Sequence, residues 1–189
     1  MTISTLIEPH HLCTRAEALE CPSSVPHMPG VYAWWFAELA NVPTGDALVR
    51  DGLRLLYVGI APRAPTADGS ISRRTLRDRI RYHYRGNAEG STLRLTLGCL
   101  LGLELRRVGS GRRMTFSADE ASISEWMATN AFVSWVTYDR PWEVERQLIS
   151  EVSLPLNLDM NQSHPYWHVL SQLRRQARQQ ARELPVVAR

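Results

Sequence analysis

Two short apolar runs constrain this chain more than anything else in it. Residues 31–36 read Val-Tyr-Ala-Trp-Trp-Phe after Pro29-Gly30, and residues 55–59 read Leu-Leu-Tyr-Val-Gly. Each is too short for an ordinary helix and rich in β-branched or aromatic residues, and both alternating faces are apolar. A run of that kind is a strand buried on both sides. The two are expected to pair as neighbours. Their connection, 37–54, carries Pro43, Gly45, Asp46 and Gly52, the signature of a loop with a short helical turn. Such a length is tolerated because closure entropy grows slowly. Deleting 41–51 is expected to weaken substrate binding and leave folding intact.

Downstream, a helix is expected from a Ser72 cap to Arg85, stopped by Gly86-Asn87. Leu76, Ile80 and Tyr84 share one face, and Arg79 and His83 lie along its edge, one turn apart. An arginine at the margin of an apolar stripe needs an anion or a polar cleft. Arg74, Arg77, Arg81 and Arg85 point the other way, where a solvated face is the ordinary reading and phosphate contact, for Arg74 and Arg81, the functional one. Ser91 caps a further helix with Leu93, Leu97, Leu100 and Leu101 inward. Its start, beside Arg94, is a place where a phosphate can bind, although most capped helices hold none.

A strand at 103–107, a turn at 109–111, a helix at 118–129 and a strand at 131–138 follow. Pro141 then opens a helix to about 152, at the first-turn position proline favours. Trp142, Leu148, Ile149 and Val152 form its apolar stripe, and Glu145 falls near the middle. A carboxylate there is costly unless paired, protonated or bound to a metal. An ion pair with Arg79 is the plain structural explanation.

The order Gly30-Val31-Tyr32, Tyr57-Val58-Gly59, Leu76-x-x-Arg79-Ile80-x-x-His83, then Glu145, then Asn157 in Leu154-Pro155-Leu156-Asn157 resembles the GIY-YIG nuclease domain. Valine replaces isoleucine in each tripeptide. The run Gly86-Asn87-Ala88-Glu89-Gly90-Ser91-Thr92-Leu93-Arg94 is also similar to small stand-alone prokaryotic members.

The resemblance implies an α/β fold of the α+β type, with a small, mainly antiparallel sheet flanked by helices and an extra C-terminal helix. It divides the chain into an N-terminal arm (1–28), a nuclease-like domain (29–160) and a basic C-terminal helix and tail (161–189). It implies a metal-dependent endonuclease that hydrolyses phosphodiesters, with DNA favoured as substrate. Carried over by position, Glu145 would hold Mg²⁺ or Mn²⁺, and Arg79 would stabilise charge on the phosphorus. Tyr32 would be the general base, assisted by Tyr57, with His83 relaying the proton and Asn157 supporting the site. A phenol of pKa about 10 is a poor base at neutral pH unless positive charge lowers it. The competing reading is a catalytically inactive nucleic-acid-binding or regulatory protein on the same fold.

Composition narrows the remainder. The formal charge is +3, which permits an anionic partner without requiring one. All 22 basic residues are arginine, an excess that arginine-biased codon usage explains, so only local placement carries evidence. Cys13, Cys21 and Cys99 show no paired spacing, which excludes a disulfide framework or cysteine zinc site and fits a reducing cytoplasm. No apolar stretch suits a membrane span or leader. A homodimer or partner protein is a further source of specificity. His164 and His168, four apart, lack a third ligand and are read as structural. In the last helix, Val169, Leu170, Leu173 and Ala177 form an apolar stripe flanked by Arg174, Arg175, Arg178 and Arg182, with packing expected as far as Ala177 and the arginines either presented to phosphates or simply solvated.

Overall fold

A computed structural model describes residues 2–37 and 39–187. Met1, Glu38 in the 37–54 connection, and the tail residues 188–189 lie outside it. In chain order the elements are α1 (Thr2–Ile7), α2 (Arg15–Leu19), β1 (Gly30–Phe36), β2 (Val49–Arg50), β3 (Leu53–Ala61), α3 (Leu76–Arg85), α4 (Thr92–Leu100), β4 (Arg106–Val108), β5 (Arg113–Thr115), α5 (Glu120–Asn130), β6 (Ala131–Thr137), α6 (Pro141–Glu151) and α7 (Trp167–Glu183).

The two apolar runs pair as expected. β1 and β3 are antiparallel, with Tyr32 opposite Gly59 and Trp34 opposite Tyr57, and a bulge after Trp34 admits the extra residue Leu56. β6 lines the other side of β1, also antiparallel, giving a four-stranded sheet in the order β2-β3-β1-β6. Every residue of β1 is buried, because helices cover both faces. Tyr32, Trp34 and Phe36 point to one core with Leu76, Ile80 and Tyr84 of α3, Leu93 and Leu97 of α4, and Leu170 of α7. Val31, Ala33 and Trp35 point to the other, with Leu6 of α1 and Val144, Leu148 and Ile149 of α6. The architecture is α+β, with a small antiparallel sheet between two helical layers.

Three local differences have physical causes. The 37–54 connection ends in a hairpin, not a plain loop: Asp51 and Gly52 both take positive φ (50° and 77°), the backbone of a tight turn that pairs β2 with β3. It also carries Val42 and Ala47 into the first core, and the Tyr166 hydroxyl donates to Asn41 O at 2.8 Å. Deletion of 41–51 therefore removes core, contrary to the fold-neutral expectation. α3 is capped three residues later than expected, by Thr75. Its Oγ1 accepts from Asp78 N while the Asp78 carboxylate accepts from Thr75 N, a reciprocal capping box that Ser72 lacks.

Residues before 29 are packed on the sheet. Leu6 is fully buried, its carbonyl accepts from Ser134 Oγ, and Cys13 exchanges both backbone hydrogen bonds with Val133 of β6. At the other end, Val169 is 55% exposed, so the apolar stripe of α7 runs Leu170, Leu173, Ala177 and Ala181 instead. The strand expected at 103–107 lies at 106–108, and Val187 bridges to it beyond α7. Among the described residues no helix is long and apolar enough to cross a membrane.

Candidate active site

A cleft of about 320 Å³ opens at the β3 edge of the sheet, walled by α3, α6, α7 and the loop after α6. Tyr32, Tyr57, Arg79, Glu145 and Asn157 all line it. Chain order alone keeps these residues as much as 125 positions apart, and the fold brings them together.

Asn157 explains how the open edge of β3 is finished. Its Oδ1 accepts from Val58 N and its Nδ2 donates to Val58 O, both at 2.9 Å, so one side chain substitutes for a neighbouring strand. Leu156 N donates to Leu56 O alongside. This holds the loop 154–160 against Tyr57 and Gly59. Gly59 is what lets Tyr32 sit here: a Cβ at that position would lie 2.5 Å from the Tyr32 hydroxyl oxygen.

α3 supplies the next layer. His83 is fully buried; its Nε2 lies 2.8 Å from the Tyr32 hydroxyl and 3.5 Å from Arg79 Nη2, and its Nδ1 lies 2.7 Å from Ser91 Oγ. A guanidinium only donates, so hydrogen-bond logic places the lone pair on Nε2 and the hydrogen on Nδ1, which donates to Ser91 Oγ. The Tyr32 hydroxyl then donates to Nε2 and turns its oxygen lone pairs towards the cleft. Burial first, then the charges of Arg79 and Arg94, hold the His83 pKa well below the ordinary imidazole range, so the ring is neutral. Arg79 Nη1 donates to Gly90 O at 3.0 Å, which fixes the guanidinium at the cleft wall. Tyr57 shares a 3.4 Å hydrogen bond with Thr92 Oγ1 at the start of α4.

Positive charge near Tyr32 does not lower its pKa as a neutral-pH base would require. Burial outweighs Arg79 and pushes both phenols upward. Glu145 behaves similarly: desolvation, then the nearby Asp159 carboxylate, raises its pKa to about 7 against a partial offset from Arg63. The expected ion pair with Arg79 is absent among the described residues. Glu145 and Asp159 are two carboxylates lining one cleft, and carboxylate oxygen is the donor chemistry that a hard divalent cation such as Mg²⁺ or Mn²⁺ takes. A separate group, His11, Cys13 and Glu17, also has ligand atoms within 4.8 Å of one another. It shares no residue with the cleft. Its Glu17 carboxylate is occupied by the Thr14 cap, and the Cys13 thiol is pushed up to about 11, chiefly by burial.

The expected nucleic-acid contacts divide. Arg74 lines a depression that adjoins the cleft through Arg63, Arg79 and Thr92. Arg81 is exposed on the outer face of α3. Arg94 is no surface contact: it is fully buried, gripping the Glu120 carboxylate through Nε and Nη2 at 2.9 and 2.7 Å and donating to the carbonyls of His83 and Glu120. Arg77, expected on the solvated face, instead donates to the carbonyls of Val25 and Ser23. His164 is structural as expected, bonded to Ser153 and to Tyr166 N.

Sequence reasoning did not single out Arg63 or Asp159, which line the cleft together with Arg174, an arginine it placed only on the flank of the last helix's apolar stripe. Arg63 and Asp159 lie in loops without a motif. Arg174 did leave a signal, because it borders the apolar stripe of α7, one turn from Leu170.

A protein-family model described as the GIY-YIG catalytic domain matches residues 30–178. No curated protein and no solved structure matches the chain.

Proposed function

The chain belongs to the GIY-YIG catalytic-domain family, a nuclease-type fold, and from that premise we propose that it is a metal-dependent endonuclease that hydrolyses phosphodiester bonds in nucleic acid, with DNA the favoured substrate. The observation that carries this reading is the convergence of Tyr32, Tyr57, Arg79, Glu145 and Asn157 on one cleft.

Each residue has a task that its geometry suits. Arg79, anchored by Gly90 O, offers its remaining donors to a phosphate entering the cleft and offsets charge that builds on the phosphoryl oxygens. Tyr32 accepts a hydrogen bond from an attacking water. Its raised pKa makes a free phenolate too scarce to serve, so its own proton passes to the neutral Nε2 of His83, 2.8 Å away, as the water's proton arrives. Tyr57 orients the same water or a phosphoryl oxygen, and Asn157 keeps β3 in place behind both tyrosines. Glu145, with Asp159 beside it, would hold the cation. When bound, a divalent cation supplies a Lewis acid to the phosphate and a counter-charge for the leaving oxygen.

One observation favours the non-catalytic alternative: burial keeps both phenols protonated. The discriminating experiment incubates the protein with supercoiled plasmid and a branched oligonucleotide, with Mg²⁺ or Mn²⁺ and with EDTA, beside folded Glu145→Ala and Arg79→Ala variants. Metal-dependent nicking lost in both variants is the expected result. Binding without cleavage under every condition would favour the alternative.

A further inference from the structure

α7 is an amphipathic helix whose apolar stripe, Leu170, Leu173, Ala177 and Ala181, packs on the first core. Arg174 borders that stripe and yet makes no ion pair or hydrogen bond among the described residues, and its Nε is buried without a partner. It reaches the wall of the catalytic cleft. A guanidinium withdrawn from water is costly unless an anion meets it. Burial, and then Arg178, lowers its pKa, and the opposing pull of Cys99, Asp159 and Tyr57 does not outweigh them.

The rest of the helix continues the pattern. Arg178 and Arg182 follow at four-residue steps and line a second depression with Arg112, which adjoins the cleft at Thr92. No described carboxylate pairs with Arg112, Arg174, Arg178 or Arg182. Glu89, in the same wall, accepts from Met114 N. Four helical residues advance about 6 Å, comparable to one nucleotide repeat of an extended strand. Arg107 fixes the end of the row by donating to the carbonyls of Ala181 and Leu184.

We infer that Arg174, Arg178 and Arg182 form a track for successive backbone phosphates, leading one polynucleotide strand along α7 into the cleft. The track rests on the nuclease reading of the cleft and gives the arginines of the C-terminal helix an ordered task, positioning the strand that enters the cleft. Contacts of this kind carry no base specificity and depend steeply on salt.

The test measures binding of fluorescein-labelled single-stranded and duplex oligonucleotides to the cleavage-blocked Glu145→Gln protein in EDTA, by anisotropy across a salt series. Arg178→Ala and Arg182→Ala are surface changes that keep the fold, so the test stands even where Arg174→Ala unfolds the chain. Each is expected to weaken binding roughly 3- to 10-fold at moderate salt and to lower the slope of log K against log salt by about 0.7 to 0.9. Arg175→Ala, on the outer face, is expected to change neither. Parental affinity and slope in the Arg178→Ala/Arg182→Ala double variant would overturn the track and leave the nuclease reading standing. Absence of any binding by the parent, with no cleavage by the wild-type chain, would overturn both.

Discussion

The Tyr32 hydroxyl lies 2.8 Å from the Nε2 of a fully buried, neutral His83, so under the proposed reaction Tyr32 would act through this pair and not as a free phenolate. Tyr32→Phe is expected to abolish cleavage while leaving oligonucleotide affinity within about 2-fold. Losing one partner of a buried hydrogen bond costs about 1–2 kcal/mol. Parallel urea melts and anisotropy titrations separate that modest loss of stability from the loss of turnover.

Glu145 ties the site to pH. Its pKa of about 7 lies above the ordinary value of 4.5, so without metal its ionisation opposes folding. Stability from this group is present below pH 4.5 and is lost as pH rises to about 7, by roughly 3 kcal/mol. The Glu145→Gln variant should lack that decline in metal-free melts. Conversely, a cation must displace the proton, so Mn²⁺ affinity of the wild-type chain, measured calorimetrically, is expected to fall about tenfold per pH unit below 7.

Arg94 and Arg74 make a paired prediction. Arg94→Ala strands the Glu120 carboxylate and empties several buried hydrogen bonds, so a loss of about 3–5 kcal/mol is expected in denaturant melts. Arg74→Ala, at the rim of the cleft, should leave the melt unchanged and weaken oligonucleotide binding more than Arg81→Ala does.

Asn157→Leu removes both hydrogen bonds to Val58 and leaves its backbone N–H and C=O unpaired at the sheet edge. A destabilisation of about 2–4 kcal/mol is expected. Hydrogen exchange at Val58 and Gly59 should rise before the rest of the sheet opens, and unchanged protection there would count against an edge-finishing role.

What was legible in the sequence follows from how local each determinant is. β1 and β3 declared themselves because strands buried on both faces must be apolar throughout, and Glu145 because a carboxylate on an apolar helix face is anomalous by itself. β2 is two residues long and has no periodicity to read, although the Asp51-Gly52 turn beside it was in plain view. The fate of Arg94 was settled by Glu120, twenty-six residues later, and no local pattern distinguishes a buried guanidinium from an exposed one at a capped helix start. Arg174 borders the apolar stripe of α7, and the run of arginines around it hid that its Nε is buried. α1 has no acidic residue in its first turn and no basic one in its last, and it is recognisable only through Leu6 packed beneath the sheet.

The bare backbone at Gly59 offers a way to silence the molecule without touching its charge. A single methyl group there would displace the Tyr32 ring from its seat beside His83 while leaving Arg79, Glu145 and every arginine of α7 as they are. Gly59→Ala would thus be an electrically silent decoy, able to load cation and substrate together and hold them as an uncut complex long enough to be seen.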